Sequence, residues 1–385
     1  MPVIDTAVAL CAVGAEKTVS NEIRKLGLSV TESGFGRVSF KAGLEGLYKT
    51  LMGSRAADRV LLETAKFHAH DFDALFEGVR RLPWEEYVPP QTGLKVSKVR
   101  TNRSKLTAET SIQAVVHKAA AERLCTKRKI ARLPDDVDGA DLRVYIEKDE
   151  ASILLDLSGE PLFKRGYRTR GGIAPLRETT AAAIIIGSGW KRKFPLWDPF
   201  CGSGTIVIEA ALYAWDIAPG MGRRFALDKL LFGNEKIRRK VQEEFMGKVD
   251  FSRLVRIGGS DSDSASIAAA RSNMERALGL VSKKSETSGL FKALPMEEAK
   301  AKDFTGDEEG FIITNPPYGR RLGDAESAER TYADMGCLAR NFPGWKLALI
   351  TDHPSFESFF GRKADLCKEI TNGAIGSYLY QYEKL

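Results

Sequence analysis

A glycine-rich turn between an apolar strand and a helix restricts the fold of this chain most strongly. Residues 196–205 predict a short strand, a turn in which Gly202 and Gly204 can adopt positive φ, and the start of a helix. The segment lacks the third glycine of a dinucleotide fingerprint, because Val207 stands in its place, and it lacks the lysine of a P-loop. Asp198 at the strand end and the N–H groups that open the helix suit a ligand with both an amine and a carboxylate. A ligand that contains an amino acid therefore fits this turn better than a pyrophosphate does.

Strands and helices alternate from about residue 176 onwards. The apolar periodicity predicts a series of helices at residues 179–188, 205–214, 264–277 and 328–341. It also predicts strands at residues 195–198, 255–260, 311–314, 346–351 and 378–382. This alternation indicates an α/β fold with a mainly parallel sheet covered on both faces, in which ligands bind at the carboxyl ends of the strands.

The first half of the chain has short strands and helices that are typical of α+β units. We predict one unit at residues 1–64, a second at 65–157, a linker rich in arginine and glycine at 158–177, and the α/β domain at 178–385. Residues 222–250 are an insertion with many basic residues. The sequence leaves open whether this insertion touches a nucleic acid or only adds a helix.

A carboxylate is also predicted at the end of the second strand of the α/β domain. Asp261 occupies this position, where it can accept hydrogen bonds from both hydroxyls of a ribose. Asp263 is its nearby competitor for this role. A helix cap at residue 264 is compatible with either assignment.

A second motif, Asn315-Pro316-Pro317-Tyr318, follows the predicted strand at 311–314 and enters the same crevice. An exocyclic amine on a nucleic-acid base is a poor nucleophile because its lone pair is delocalised into the ring. The side-chain carbonyl of Asn315 and the backbone carbonyl of Pro316 can accept its two N–H bonds and localise that lone pair. Tyr318 offers a ring on which the base can stack. We predict that these four residues are catalytic and act by orientation, without a strong general base.

Basic residues are concentrated between residues 95 and 132, where only Glu109 and Glu122 are acidic. In a chain of formal net charge +7, this local excess indicates a surface for a phosphate backbone. Together with two arginines of the linker, the predicted RNA-binding residues are Lys95, Lys98, Arg100, Arg103, Lys105, Lys118, Lys127, Arg128, Lys129, Arg165 and Arg168.

Other chemistries have little support in the sequence. The five cysteines and four histidines show no ligand spacing, so we predict neither a disulfide framework nor a metal site. Cys201 lies inside the glycine turn, and we interpret it as a small packed residue rather than a nucleophile for cytosine methylation. No apolar run is long enough for a membrane span and no signal peptide is recognised, which indicates a cytoplasmic protein. The oligomeric state is left open.

These features resemble a known family of enzymes. Residues 198–205 resemble motif I of the class I S-adenosylmethionine methyltransferases, and residues 315–318 resemble motif IV of the amino-methyltransferases. The basic unit at 65–157, the unit before it and the segment at 163–180 resemble the THUMP-containing 23S rRNA guanine-N2 methyltransferases. The resemblance covers nearly the whole chain and extends to tRNA guanine-N2 enzymes of the same architecture.

The resemblance implies a Rossmann-like methyltransferase domain, preceded by a ferredoxin-like domain and a THUMP domain that bind structured RNA. It implies S-adenosylmethionine as the cofactor. Many relatives carry an aspartate shortly after the third strand, but this chain has none at residues 292–296, which leaves adenine recognition to the backbone and to Met296. The implied cofactor-binding residues are Pro175, Leu176, Glu178, Thr179, Asp198, Phe200, Cys201, Gly202, Ser203, Gly204, Thr205, Asp261 and Met296.

The methyl acceptor is the least constrained part of this interpretation. The resemblance implies guanine N2 of 23S rRNA. Guanine N2 of tRNA and adenine N6 are alternatives that use the same chemistry, the latter in RNA or in DNA. A protein that binds RNA without catalysis is a further alternative, although the intact motif at 315–318 argues against it.

Overall fold

The computed structural model describes residues 4–134, 139–168, 176–254, 256–279, 290–299, 309–318 and 325–385. Within these ranges the strands form two seven-stranded sheets, one in each half of the chain. The mixed architecture expected from the sequence, with α+β units before an α/β domain, is confirmed.

The N-terminal half is built around the first sheet. Its elements are, in chain order, β1 (Thr6–Cys11), α1 (Glu16–Lys25), β2 (Ser29–Gly34), β3 (Arg37–Lys41), α2 (Leu44–Gly53), β4 (Ala57–His68), α3 (Phe72–Arg80), β5 (Leu94–Asn102), α4 (Glu109–Arg128), β6 (Ala140–Glu147) and β7 (Glu150–Asp156). The strand order is β2-β3-β1-β4-β7-β6-β5. The β4 strand pairs with β1 on one side and with β7 on the other. It therefore runs through the boundary predicted at residue 64 and joins both units into one sheet.

Local sequence explains several turns and helix ends in this half. The carboxylate of Asp71 accepts a hydrogen bond of 2.7 Å from the Ala74 N–H and so caps the start of α3. Lys148 and Asp149, with φ of 52° and 63°, form the two-residue turn between β6 and β7. The α4 helix is the crossover between β5 and β6, the parallel pair of this sheet.

The C-terminal half is a doubly wound α/β domain. Its elements are, in chain order, α5 (Glu178–Gly187), β8 (Leu196–Asp198), α6 (Thr205–Ala214), α7 (Glu235–Met246), β9 (Ile257–Asp261), α8 (Ser264–Gly279), β10 (Phe291–Ala293), β11 (Phe311–Thr314), α9 (Ala325–Asp334), α10 (Cys337–Asn341), β12 (Lys346–Thr351), α11 (Phe356–Phe360), β13 (Leu366–Asn372) and β14 (Ile375–Tyr382).

The second sheet has the order β10-β9-β8-β11-β12-β14-β13. The strands from β10 to β12 are parallel, and β14 and β13 are antiparallel to their neighbours. The mainly parallel sheet predicted from the sequence is confirmed. The chain order reverses at β8, which pairs with β9 on one side and with β11 on the other. Open α/β sheets bind their ligands at such a reversal, beyond the carboxyl ends of the strands.

Some elements of the C-terminal half differ from the sequence prediction, among them the short elements β10 and α11, which were not predicted. The single helix predicted at 328–341 is divided into α9 and α10, with a break at Met335 and Gly336. The β13 strand was not predicted, because its first four side chains are exposed or half-buried and include Lys368 and Glu369. An edge strand of this kind lacks the apolar alternation by which strands are recognised.

The insertion at 222–250 packs against the N-terminal half. Its helix α7 lies on α2, where Lys240 pairs with Glu45 at 2.6 Å and Lys49 pairs with Glu244 at 3.0 Å. The ring of Phe245 packs so closely on Gly53 that a Cβ there would come within 2.5 Å of it. The described contacts of α7 thus support a helical addition that braces the two halves.

No helix in the described ranges combines the length and the hydropathy that a membrane span needs. The same ranges contain no group of three or more His, Cys, Asp and Glu side chains arranged to hold a metal ion. All five cysteines are free thiols.

Candidate active site

Asp198 closes β8 at the centre of the second sheet. Its side chain is buried, and its Oδ1 accepts hydrogen bonds from the Thr314 hydroxyl at 2.6 Å and from the Phe200 N–H at 3.1 Å. Burial raises the pKa of this carboxyl to about 7, and the two hydrogen bonds oppose that shift. The ionised carboxylate would be stabilised by a cation that enters the crevice.

The turn after β8 uses its two glycines for different reasons. Gly202 has φ of 50°, and no atom of the described residues lies within 4 Å of where its Cβ would stand. Gly204 has φ of 85°, and its Cβ would come within 3.0 Å of the Ala270 Cβ and of the Phe291 ring. The turn is therefore packed against α8 and β10 on one side and open on the other, where a ligand can approach the backbone.

Cys201 lies within this turn and is buried. Its N–H donates to the Ser260 carbonyl at 3.0 Å, which fastens the turn to β9. Burial raises the pKa of the Cys201 thiol further above its usual value, and the nearby carboxyls of Asp198 and Asp261 act in the same direction. A thiol held in its neutral form is a poor nucleophile, which supports its interpretation as a packing residue.

Asp261 stands beside the turn, at the end of β9. Its Oδ2 accepts the Gly202 N–H at 3.0 Å and its Oδ1 accepts the Asp263 N–H at 2.9 Å. The carboxylate of Asp263 caps α8 by accepting the N–H groups of Ala265 and Ser266 at 3.1 and 3.0 Å. Asp263 is thus engaged in helix capping, and Asp261 is the better placed of the two for a ribose.

Two residues of α8 support the turn without having been predicted. The Asn273 amide donates to the Ser203 carbonyl at 2.9 Å, and the Arg276 guanidinium donates to the Asn273 side-chain oxygen at 2.5 Å. Arg276 also reaches the Tyr167 carbonyl of the linker at 2.6 Å. The only sequence signal was a pair of polar residues, three positions apart, on a helix that is otherwise apolar on its buried face.

Further predicted cofactor-binding residues lie at the start of α5, and Pro175 lies outside the described residues. Glu178 and Leu176 are buried beside the linker. The Thr179 hydroxyl donates to the carboxylate of Asp58 in β4, which belongs to the N-terminal half. The proton of the Thr179 hydroxyl is therefore not available to a cofactor. Met296 is buried in a short 3₁₀ helix that follows β10.

Arg165 and Arg168 were predicted to bind RNA, and the structure contradicts this for both. Arg165 is only 3% exposed, and its guanidinium donates to the carbonyls of Leu162 and Arg55. The Arg168 guanidinium donates to the Thr205 hydroxyl at the start of α6 and to the Leu176 carbonyl at 3.2 Å. Both guanidinium groups are turned into the protein, so neither is available to a phosphate backbone.

Asn315, Pro316, Pro317 and Tyr318 follow β11, whose pairing with β8 brings them next to Asp198. The Tyr318 hydroxyl donates to the Asn315 side-chain oxygen within the motif. Pro316 is buried, Pro317 is exposed, and burial raises the pKa of the Tyr318 hydroxyl above its usual value. The hydrogen bond from Thr314 to Asp198 ties this loop directly to the glycine turn, so the two motifs share one crevice.

The predicted basic surface lies on the β5–α4 side of the first sheet. Its exposed members are Lys95, Arg100, Arg103, Lys105, Lys118, Lys127 and Lys129, and Lys98 is half-buried. Arg128 differs from them, because its guanidinium donates to the carbonyls of Val88 and Pro89 at 2.7 and 3.0 Å. A groove of about 880 Å³ runs along α4 and is lined in part by His117, Lys118 and Arg132.

Three parts of the chain match models of known protein families. Residues 165–381 match the family described as the RMKL-like methyltransferase domain. Residues 6–61 match the RlmL ferredoxin-like domain, and residues 69–156 match the THUMP domain.

Proteins similar to the whole chain have related descriptions. YpsC of Bacillus subtilis, described as a candidate RNA methyltransferase, is 34% identical over 98% of this chain and 95% of its own length. The ribosomal RNA large subunit methyltransferase K/L of Syntrophotalea carbinolica is 35% identical over 96% of this chain. This chain spans only about half of that relative, 52% of its length.

A solved structure identifies the cofactor. The candidate methyltransferase SMU.472, crystallised in complex with SAH, is 35% identical and superposes with a TM-score of 0.86 over 98% of this chain and 97% of that one. SAH is the product that S-adenosylmethionine leaves after methyl transfer. The cofactor is S-adenosylmethionine, and the chain belongs to the RMKL-like methyltransferase family, with RlmL ferredoxin-like and THUMP domains before the methyltransferase domain.

Proposed function

We propose that this protein methylates an exocyclic amino group of a base in RNA, and that the acceptor is guanine N2 of 23S rRNA. The observation that carries the proposal is the position of residues 315–318 beside Asp198, to which they are joined by the 2.6 Å hydrogen bond from Thr314. The Asn315 side-chain oxygen and the Pro316 carbonyl, placed next to a cofactor turn, can orient an amine toward a methyl donor.

The residues around the turn fit S-adenosylmethionine. The open side of Gly202 lets the cofactor approach the backbone, and the buried Asp198 carboxylate offers its amine a partner. We assign the ribose to Asp261 and the adenine to the neighbourhood of Met296. When it is bound there, the cofactor supplies an electrophilic methyl group.

The protein's own part in the reaction is to hold the amine in line with that methyl group. The Asn315 side-chain oxygen and the Pro316 carbonyl accept the two N–H bonds of the amine, so that its lone pair points at the methyl carbon. The Tyr318 ring stacks on the base. The proton lost from nitrogen after transfer can pass to solvent, since the reaction leaves the amine with a positive charge and a low pKa.

The N-terminal half supports RNA as the substrate. We propose the division of labour expected from the sequence, in which residues 1–64 and 65–157 bind RNA, residues 158–177 connect, and residues 178–385 methylate. Exposed lysines and arginines along β5 and α4 give this surface a positive charge, and Lys118 and Arg132 line the groove beside α4 together with Glu122. The choice of 23S rRNA follows the description of the K/L relatives, of which this chain spans about half.

Transfer of a labelled methyl group tests the proposal. Purified protein is incubated with labelled S-adenosylmethionine and, separately, unmodified 23S rRNA, tRNA and duplex DNA, and the product nucleoside is identified by mass spectrometry. We expect N2-methylguanosine in 23S rRNA. N2-methylguanosine in tRNA alone, or a methylated adenine in any substrate, would replace the proposed acceptor with the corresponding alternative.

The variant Asn315→Ala tests the proposed mechanism. It removes the side-chain oxygen that positions the amine, so we expect methyl transfer to fall by about a hundredfold or more, with RNA binding and SAH binding unchanged. Single-turnover rates and binding titrations measure the three quantities. Wild-type turnover in this variant would rule out the role of Asn315, and loss of RNA binding would show that the substitution disturbs more than the crevice.

A further inference from the structure

A tyrosine outside the recognised motifs contacts the acceptor loop. Tyr332 lies on α9 and is fully buried. Its hydroxyl donates to the Pro317 carbonyl at 2.9 Å. Pro317 has no N–H, and the loop contains two consecutive prolines, so few backbone donors are present to hold the loop in place. The carbonyl that Tyr332 binds is one residue beyond the Pro316 carbonyl proposed to receive the amine.

The orientation of the Tyr332 hydroxyl is fixed by a second hydrogen bond, to Thr351. Its oxygen lies 2.9 Å from the Thr351 hydroxyl at the end of β12, and the Thr351 oxygen accepts the His353 N–H at 3.1 Å. Since Tyr332 gives its own proton to Pro317, Thr351 must donate to Tyr332. The chain therefore runs in one direction, from the His353 N–H through two hydroxyls to the Pro317 carbonyl, and each bond strengthens the next.

The ring of Tyr332 is held independently of its hydroxyl. It makes edge contacts with Phe356 at 5.1 Å and with His353 at 5.7 Å between ring centroids. Burial raises the pKa of Tyr332, so that the hydroxyl stays protonated and remains a donor. A phenylalanine at this position would preserve the packing and remove only the hydrogen bonds.

We propose that Tyr332 is a positioning residue for methyl transfer, which fixes the Pro317 carbonyl and so aims the neighbouring Pro316 carbonyl at the acceptor amine. Tyr332 touches neither substrate nor cofactor in this role. The proposal rests on the function proposed for residues 315–318, and it adds a device that sets their geometry.

The variant Tyr332→Phe tests this role with a matched control. Tyr382 is also buried, and its hydroxyl donates to a backbone carbonyl, that of Arg362, at 3.0 Å. Tyr382 pairs with Leu347 at the start of β12, at the opposite end of the strand from Thr351. Tyr382→Phe therefore removes a similar hydrogen bond at the end of the strands that is remote from the crevice.

We expect Tyr332→Phe to lower the single-turnover rate on unmodified 23S rRNA by about tenfold to a hundredfold at saturating cofactor and RNA. The Kd for SAH and the KM for RNA should change less than about twofold, because neither ligand contacts this hydroxyl. Tyr382→Phe should leave the rate near that of the wild type. Thr351→Val should lower the rate, and Thr351→Ser, which keeps the hydroxyl, should restore it.

Equal rates for Tyr332→Phe and Tyr382→Phe would overturn the proposal while leaving the proposed function intact. A wild-type protein that methylates no exocyclic amine would instead overturn the proposed function. In that case peptide-level hydrogen exchange still decides the positioning role, since the segment at 311–318 must exchange faster in Tyr332→Phe than in Tyr382→Phe. Unchanged exchange in both variants would refute it.

Discussion

Asp198 is a buried carboxyl that accepts hydrogen bonds from Thr314 and Phe200. Burial raises the pKa of its carboxyl from 3.8 to about 7. A group whose pKa is higher in the folded chain than in the unfolded chain favours folding at low pH. This contribution is fully present below about pH 4 and is lost as the pH rises through about 7. Above pH 7 the ionised carboxylate destabilises the free protein, and in the proposed binding mode the cofactor's ammonium group would compensate for that cost.

The affinity for SAH should therefore depend on pH. Between pH 8 and pH 6 we expect the affinity to fall by about tenfold, because at one unit below its pKa only about a tenth of Asp198 is ionised. Isothermal titration calorimetry in buffers of different ionisation enthalpy measures both the affinity and the protons released on binding. Asp198→Asn should bind SAH weakly at pH 8 and show little of this dependence.

Glu178 is the control for this assignment. Burial also raises the pKa of its carboxyl, and the family resemblance implied that it binds the cofactor. If Asp198 is the source of the pH dependence, Glu178→Gln retains it. A dependence that disappears in Glu178→Gln and persists in Asp198→Asn would assign the proton to the other carboxyl.

In the turn between β8 and α6, Gly204 is needed for packing and Gly202 leaves space for a ligand. At Gly204, with φ of 85°, a Cβ would meet Ala270 and Phe291 at 3.0 Å. Gly204→Ala should therefore lower the free energy of unfolding by about 2 kcal/mol or more. Gly202 has φ of 50° and an open side, so Gly202→Ala should cost only about 1 kcal/mol.

Binding should show the opposite ranking of these two variants. The Cβ of Gly202→Ala stands on the side of the turn that we assign to the cofactor, so this variant should bind SAH more weakly at a temperature where both remain folded. Urea unfolding in the absence of ligand and calorimetric titration with SAH measure the two effects. A larger loss of stability in Gly202→Ala than in Gly204→Ala would contradict the packing described for the turn.

The elements that the sequence predicted well are those whose pattern is local. The strand, turn and helix of residues 196–205 and the loop at 315–318 carry their own signals, since a glycine at positive φ or a proline pair acts where it stands. The β13 strand had no such signal, because it lies at the edge of the sheet beside β14. A single helix was predicted at 328–341 because the buried apolar face continues across Gly336. The helical backbone does not continue there, so the structure has two helices.

The residues that sequence reasoning missed act through contacts between distant segments. Tyr332 contacts the acceptor loop from a position 15 residues further along the chain, and Asn273 reaches Ser203 from a different helix. Arg165 and Arg168 looked like RNA ligands because charge is visible in a sequence and burial is not. Only the folded linker shows that both guanidinium groups face inward, since Arg165 donates to the Leu162 carbonyl and Arg168 to the Thr205 hydroxyl of α6.

The two halves of the molecule meet at the start of α5, close to the proposed cofactor site. The Asp58 carboxylate of β4 accepts hydrogen bonds from the Thr179 hydroxyl and from the Arg177 guanidinium, the latter at 3.2 Å. The Arg177 N–H in turn donates to the Asn372 side chain at 3.1 Å, and the Arg177 guanidinium stacks on the Phe163 ring. A carboxylate of the N-terminal half thus holds the segment that opens the methyltransferase domain.

This arrangement predicts that Asp58 influences cofactor binding from another domain. In Asp58→Asn one acceptor remains but the charge is lost, so we expect the contact to weaken by about 1 kcal/mol and the Kd for SAH to rise about fivefold. Asp5→Asn, which alters an exposed carboxylate of the same half that pairs with Lys41, should leave the Kd unchanged. Calorimetric titration of both variants, with thermal unfolding to confirm that they are folded, makes the comparison. An Asp58→Asn protein that binds SAH as tightly as Asp5→Asn would show that the cofactor site forms without this link. The role of the N-terminal half would then be limited to RNA binding.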